Sequence, residues 1–147
     1  MSILFEPISI GSTGSMVVKN RFVRSATNDF MGNKDGSISD RELDLYKMLA
    51  ANDVGLIITG QAYVQHPAGK AGARQNAIFD DRFIEGYRKL ADTVHEHGAK
   101  LVMQVSHAGR QSLSALKDGV SPVAPSAVTD TSTGITPREL TVEEIWQ

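Results

Sequence analysis

The chain has 147 residues, of which 41% are hydrophobic and 22% are charged, and its formal net charge is −2. This balance is typical of one globular core, and it gives no indication of a nucleic-acid or membrane partner. The absence of cysteine excludes disulfides, thiolate catalysis and cysteine-ligated metals within this chain. No signal-peptide pattern precedes the first apolar residues, and no apolar run approaches the ~20 residues of a membrane span, so we expect a cytoplasmic protein.

Two apolar segments at the N-terminus, residues 4–10 and 16–19, flank the sequence of residues 11–15 and predict a β-hairpin. The two glycines of the connecting segment, Gly11 and Gly14, could instead cradle a phosphate. A phosphate-binding loop of that kind continues into a lysine and a helix, which are missing here, so the hairpin turn is favoured.

Three short apolar runs follow, within residues 20–27, 55–60 and 101–106. Their β-branched residues, their brevity and the glycines beside them favour strands that are buried on both faces. The segments between the runs have the 3.6-residue period of helices. Alternation of strands with helices predicts parallel βα units, and hence an α/β fold.

The first helical segment opens with Ser39 and Glu42 at capping-box spacing and runs to about Asn52. The second begins near Asp80 and closes at Gly98. Both have apolar side chains along one stripe: Leu43, Tyr46, Leu49 and Ala50 in the first, and Phe83, Tyr87, Leu90, Ala91 and Val94 in the second.

Residues 107–140 form a stretch of 34 residues that is rich in Ser, Thr, Asp, Gly and Pro and has little periodicity. Loops of this length inside a compact domain usually serve as lids or binding loops. A second capping-box pattern, Thr141 with Glu144, then begins a helix near the end of the sequence. Because that helix is cut short, we expect the chain to be a fragment of a longer protein.

Small residues and amides occupy the ends of the predicted strands. They are Ser25, Ala26, Thr27 and Asn28 after the first run, Thr59, Gly60, Gln61 and Ala62 after the second, and Gln104 to His107 after the third. No acid–base pair stands among them, which favours binding of a planar polar ligand over hydrolysis. Glycine lets the backbone approach a flat ring closely, and amides both donate and accept hydrogen bonds.

Gln104 interrupts the apolar run of the third strand. Burying its amide without a partner would cost about 1–3 kcal/mol. Two explanations stay open: a ligand at the carboxyl end of the strand, or a structural amide satisfied by neighbouring backbone.

Histidines give no metal pattern, because His95 and His97 stand two apart at a helix end and point to different faces, so we expect no metal site. His66, beside Pro67, follows the second strand, and it lies either at the edge of the predicted ligand site or in a solvated loop.

Several separated motifs stand along the chain: Leu4-Phe5-Glu6-Pro7-Ile8, Lys19 to Thr27, Gly55 to Gly60, Gln104 with His107-Ala108-Gly109-Arg110, Pro122 to Ser126, and Pro137 to Thr141. Together they resemble the Old Yellow Enzyme family of FMN-dependent NADH:flavin oxidoreductases and ene-reductases. The resemblance covers essentially all 147 residues. It implies the N-terminal part of a (β/α)8 TIM barrel: a hairpin cap over residues 1–20, then about three βα units over residues 21–147, including the long loop of residues 107–140.

Residue roles follow from the resemblance position by position. Gln104 matches the glutamine that hydrogen-bonds the pyrimidine edge of the flavin. Ser25, Ala26 and Thr27 match the segment that packs on the isoalloxazine through its backbone, and Asn28 matches a position beside flavin O4 and N5 that tunes the reduction potential.

Four further positions of the resemblance carry weaker assignments. Gly60 and Gln61 belong to the second strand end, but the family usually has Gly or Ala where Gln61 stands, which leaves open whether Gln61 turns away from the flavin. For His107 and Arg110 we expect structural roles, with Arg110 holding the long loop down.

The activity implied by the resemblance is hydride transfer from NADH or NADPH to FMN, and from the flavin to an activated alkene. The family's substrate-binding histidine pair and proton-donating tyrosine lie beyond this chain, so we expect no catalytic residue here and an inactive chain in isolation. We expect a homo-oligomer acting on a small molecule. Two alternatives stay open: a multidomain 2,4-dienoyl-CoA-reductase-like enzyme with an iron–sulfur cluster, and a non-catalytic, self-associating fragment.

Overall fold

The computed structural model describes residues 2–12 and 16–146, without the side chains of residues 114 and 115. Its strands are β1 (Ile8–Ile10), β2 (Met16–Val18), β3 (Val23–Arg24), β4 (Leu56–Tyr63), β5 (Lys100–Ser106), β6 (Val123–Ala124) and β7 (Arg138–Glu139). Its α-helices are α1 (Asp40–Ala51), α2 (Ile84–His95), α3 (Leu113–Lys117) and α4 (Val142–Ile145). Single 3-10 turns occur at Ile3–Phe5, Asp81–Phe83 and Gly109–Gln111.

The predicted N-terminal hairpin is confirmed, because β1 pairs with β2 in the antiparallel sense and Ile8 stands opposite Val18. Of the predicted turn, residues 11–15, the last three, Gly14 among them, lie outside the described residues. Lys19 ties the hairpin to the helices: its ammonium group donates to the Ala50 carbonyl at 3.2 Å and to the His97 carbonyl at 3.0 Å. A cation at these helix ends is favoured by both helix dipoles.

The main sheet is parallel, with the strand order β3-β4-β5. Helices α1 and α2 pack together on one of its faces, and the predicted apolar stripes form the core there. That core consists of Leu43, Tyr46, Ala50, Ile57, Leu90, Val94 and Ala99. The prediction of parallel βα units is therefore confirmed.

Burial of the strands on both faces is confirmed for the first two residues of β4 and wrong for the neighbouring strands. Leu56 and Ile57, which lie on opposite faces of β4, are 7% and 0% exposed, whereas Val23 in β3 is 51% exposed and Val102 in β5 is 38% exposed. Among the described residues, helices α1 and α2 pack on one face of the sheet, and β3 and β5 each pair with β4 alone. Gln104 is accordingly exposed instead of buried.

The two capping boxes have different outcomes. The Ser39 hydroxyl accepts the Glu42 N–H at 3.1 Å, but the Glu42 side chain turns inward instead of closing the box. At α4 both halves are present between Thr141 and Glu144, and Arg138 clamps the same carboxylate through two hydrogen bonds of 2.8 and 2.9 Å. No helix among the described residues is long and apolar enough to cross a membrane.

The long segment of residues 107–140 is more ordered than its composition indicates. It contains the Gly109–Gln111 turn and α3, and β6 pairs in parallel with β7. The Arg110 guanidinium donates to the Val128 carbonyl at 3.4 Å, which agrees with the predicted role of holding this segment down.

Gly55 sits at the junction of the hairpin and the sheet, and we expect Gly55→Ala to destabilise the fold by about 1–3 kcal/mol. A Cβ there would overlap Asn20 Oδ1 and would lie 2.9 Å from a methyl group of Val18. Asn20 cannot move away freely, because its side chain also bonds the Asp53 carbonyl and the Phe22 N–H.

Urea unfolding measures this effect, with Gly72→Ala as the matched control, since a Cβ at Gly72 has no heavy atom within 4 Å. The control should change the free energy of unfolding by well under 1 kcal/mol. Equal stability of the two variants would contradict the close packing of Asn20 and Val18 around Gly55.

Candidate functional site

The carboxyl ends of β3 and β4 touch through backbone. A Cβ at Gly60 would lie 2.9 Å from the Thr27 carbonyl oxygen and 3.6 Å from the Asn28 Cα. Glycine at this position is therefore required by the neighbouring strand end of the chain itself, whereas the sequence interpretation assigned its small size to the approach of a ligand. The contact fixes Thr27 and Asn28 beside the middle strand.

Gln61 and Gln104 are partners in the register of β4 and β5. Adjacent strands lie about 4.8 Å apart, so the two side chains project from the same face of the sheet, next to each other. Leu101 packs on the helices. Because side chains alternate between the two faces along a strand, the Gln104 side chain projects from the opposite face of the sheet. Gln61 shares that face with its partner, so it does not turn toward the helices.

Neither glutamine side chain has a hydrogen-bond partner within the described part of the chain. The structural explanation for Gln104, an amide satisfied by neighbouring backbone, is therefore wrong. The amide pair of Gln61, which is half-buried, and Gln104, which is exposed, can donate and accept hydrogen bonds toward a ligand on the open face of the sheet.

The segment after β3 forms a local turn. The Thr27 hydroxyl donates to the Ser25 carbonyl at 3.0 Å, and Asn28 Oδ1 accepts the Phe30 N–H at 3.2 Å. The second bond holds the Asn28 side chain through its oxygen and leaves its NH2 group available. Ser25 and Thr27 are exposed, whereas Ala26 and Asn28 are half-buried.

His107 is a structural residue, as the sequence interpretation expected. Its Nδ1 accepts the Gly109 N–H at 2.9 Å, so the proton lies on Nε2, which is 2.9 Å from the Gln65 side-chain oxygen. Burial lowers the pKa of His107, which agrees with a neutral ring. His66 is exposed, and its ring stacks on Phe79 at a centroid distance of 5.3 Å.

Sequence reasoning missed a buried carboxylate cluster behind the strand ends. Glu42 is only 2% exposed, and its Oε1 accepts a 2.7 Å hydrogen bond from Asn76. Its Oε2, one oxygen of Asp29 and the Tyr87 hydroxyl are buried and have no hydrogen-bond partner within the described residues. Burial, and after it the nearby Asp29 carboxylate, raise the pKa of Glu42 to about 7.

A signal for this cluster was present in the sequence. Glu42 stands four residues before Tyr46 and eight before Ala50, so it lies on the buried stripe of α1. The capping-box spacing with Ser39 offered a competing assignment for the same carboxylate, and the tertiary contact with Asn76 prevailed.

We expect Glu42→Gln to remove a pH dependence of stability. Because the pKa rises from 4.5 to about 7 on folding, the native state binds more protons, and the free energy of unfolding falls as the pH rises through this interval. At pH 8 the glutamine variant should therefore be more stable than the wild type, by up to about 3 kcal/mol.

Urea unfolding at pH 5 and pH 8 measures the effect, and the exposed Glu96, replaced by Gln, serves as the control. If the stability of Glu42→Gln had the same pH dependence as that of the wild type, folding would not raise the pKa of this carboxyl group.

Two clefts lie along the segment after β5, and neither is bordered by the strand-end amides. The larger, of about 1,020 Å³, is bordered by groups that include His107, Pro125, Leu140 and Ile145. The other is bordered by residues 108–111, 124–125 and 129–131. The amide pair thus belongs to an open face of the sheet and not to either cleft.

Parallel βα units with amides at the carboxyl ends of their strands are typical of an α/β protein of the barrel type. The chain belongs to the NADH:flavin oxidoreductase / NADH oxidase family, whose model it matches over residues 3–147.

Relatives and solved structures agree with this assignment. The chain is 43% identical over 137 residues to an NADH oxidase of Thermoanaerobacter brockii, covering 93% of this chain and 21% of that protein. It is 34% identical to an NADPH dehydrogenase of Bacillus subtilis, covering 97% and 40%. The Old Yellow Enzyme of Pichia sp. AKU4542 superposes with a TM-score of 0.87 at 28% identity, covering 99% of this chain and 39% of that structure.

The fold is accordingly the N-terminal part of a TIM barrel, and the chain spans about a fifth to two fifths of the curated relatives it matches. The family's cofactors are FMN with NADH or NADPH. The residues present fit a flavin, because Gln61 and Gln104 offer unpartnered donors and acceptors to a planar polar ring edge.

Proposed function

We propose that the protein containing this chain is an FMN-dependent NAD(P)H oxidoreductase of the ene-reductase type, which reduces the activated C=C bond of a small molecule. The observation that carries the proposal is the side-by-side pair of unpartnered amides, Gln61 and Gln104, on the open face of the sheet. The family membership and the NADH oxidase and NADPH dehydrogenase relatives support it.

In this proposal the chain supplies one wall of the flavin site. Gln104 and Gln61 bind the pyrimidine edge, the backbone of residues 25–27 packs on the ring, Asn28 directs its NH2 group at the ring, and Gly60 keeps the strand ends close. FMN, when bound, supplies hydride transfer between the nicotinamide and the alkene. Substrate binding and protonation are assigned to parts of the protein beyond this chain, with residues 1–20 acting as a cap and residues 21–147 as βα units.

A second candidate is a longer, multidomain reductase of the 2,4-dienoyl-CoA type. The chain covers 21% of the NADH oxidase but 40% of the NADPH dehydrogenase, so the family includes members that differ about twofold in length. Iron and acid-labile sulfide analysis of the full-length protein separates the two candidates, since an iron–sulfur cluster would identify the longer type.

Replacing Gln104 with alanine in the full-length protein should raise the FMN dissociation constant about tenfold, because a hydrogen bond to a polar ring edge is worth about 1.4 kcal/mol. Flavin fluorescence titration measures the affinity, and dye-coupled reduction measures the potential. Gln111→Ala, which removes an exposed glutamine outside the strand ends, is the control. Unchanged affinity together with unchanged potential would rule out the assignment of Gln104.

The isolated chain should self-associate, because the face of the sheet opposite the helices exposes apolar side chains, including Val23 and Val102. Sedimentation velocity of the purified chain tests this, with dimers or larger species expected at micromolar concentration. A well-folded monomer would argue against it. Homo-oligomerisation of the full-length protein stays a separate prediction.

A further inference from the structure

The pairing of β4 with β5 changes register once. Leu56, Ile57 and Ile58 stand opposite Lys100, Leu101 and Val102, and pairing resumes with Gln61 opposite Gln104. Between these points β4 has two residues, Thr59 and Gly60, where β5 has only Met103. This is a β-bulge, a feature that is rare between parallel strands and that is favoured next to active sites.

The bulge decides which side chain stands beside Gln104. In an uninterrupted register Gly60 would face Gln104, and Gln61 would stand beside Val105 on the helix side, because faces alternate along a strand. The extra residue reverses the alternation, so that Gln61 joins Gln104 on the open face. The amide pair is therefore a product of the bulge.

Two buried hydroxyl groups satisfy the backbone of the bulge. The Thr59 hydroxyl accepts the Gln104 N–H at 3.1 Å and donates to the Gly60 carbonyl at 2.8 Å. The Tyr46 hydroxyl, from helix α1, accepts the Gly60 N–H at 3.2 Å. Tyr46 is fully buried and Thr59 is 3% exposed, so water does not readily replace either group.

Arg24 contacts both the Tyr46 ring and the backbone just before the bulge. Its guanidinium lies 5.5 Å from the centroid of the Tyr46 ring, and its Nη1 donates to the Ile58 carbonyl at 3.4 Å. A cation over the ring holds the Tyr46 side chain in the orientation that reaches Gly60.

We propose that Tyr46 and Thr59 are positioning residues for the flavin, which act by fixing the bulge that turns Gln61 toward the ring edge. The proposal rests on the proposed function, since it needs a flavin on the open face. It assigns a role in flavin binding to a helix residue that does not reach the open face itself.

The test uses the full-length, FMN-loaded protein and the variants Tyr46→Phe, Thr59→Val and Thr59→Ser. Tyr46→Phe and Thr59→Val leave backbone groups of the bulge unsatisfied, and each should raise the FMN dissociation constant about tenfold and shift the visible flavin spectrum. Thr59→Ser keeps the hydroxyl and should retain the affinity and spectrum of the wild type.

A double-mutant cycle shows whether Tyr46 acts through Gln61. In a Gln61→Ala background, Tyr46→Phe should weaken FMN binding less than twofold, since the side chain that it positions is already gone. Tyr87→Phe is the matched control: it also removes a buried tyrosine hydroxyl, but one without a hydrogen-bond partner among the described residues, and it should leave the flavin spectrum unchanged.

The results separate this inference from the proposed function. A wild-type protein that binds no FMN would overturn the proposed function, and this inference with it. FMN binding by the wild type that is equally strong in Tyr46→Phe and Thr59→Val would overturn the positioning role alone. Full additivity of Tyr46→Phe with Gln61→Ala would also overturn it, because the two residues would then act independently.

Discussion

The parallel pairing of β4 with β5 is the contact on which the rest of this structure depends. Its first half directs Ile57 and Leu101 into the layer of helices α1 and α2, and so supplies the floor of the core. Its second half, after the bulge, directs Gln61 and Gln104 to the opposite face. One strand pair therefore contributes to the core at one end and presents the two amides at the other, and a single inserted residue separates the two parts.

Most of the fold was predictable because it depends on local patterns. The stripes of α1 and α2, the caps at Ser39 and Thr141 and the alternation of strands with helices follow from periodicity and from residue types a few positions apart. The identities of the strand-end residues were equally accessible, since small residues and amides follow each apolar run. Family resemblance then pointed to the kind of ligand.

The remaining features depend on partners distant in sequence. The Gly60 N–H of the bulge donates to the Tyr46 hydroxyl, 14 positions away, and no local sequence pattern predicts that contact. Glu42 has a capping-box position but is drawn into the interior by Asn76, 34 positions away. Gln104 was expected to be buried because its neighbours are apolar, yet its exposure is set by what covers the sheet, which the strand's own sequence does not encode.

Lys19 has a consequence for the order in which the molecule can be completed during synthesis. Its two carbonyl partners belong to Ala50 and His97, and Asn20 bonds the Asp53 carbonyl. Every one of these groups has been made once about two thirds of this chain has left the ribosome. Lys19 and Asn20 can therefore bind the segments that follow α1 and α2 as soon as His97 emerges, before β5 itself has left the ribosome.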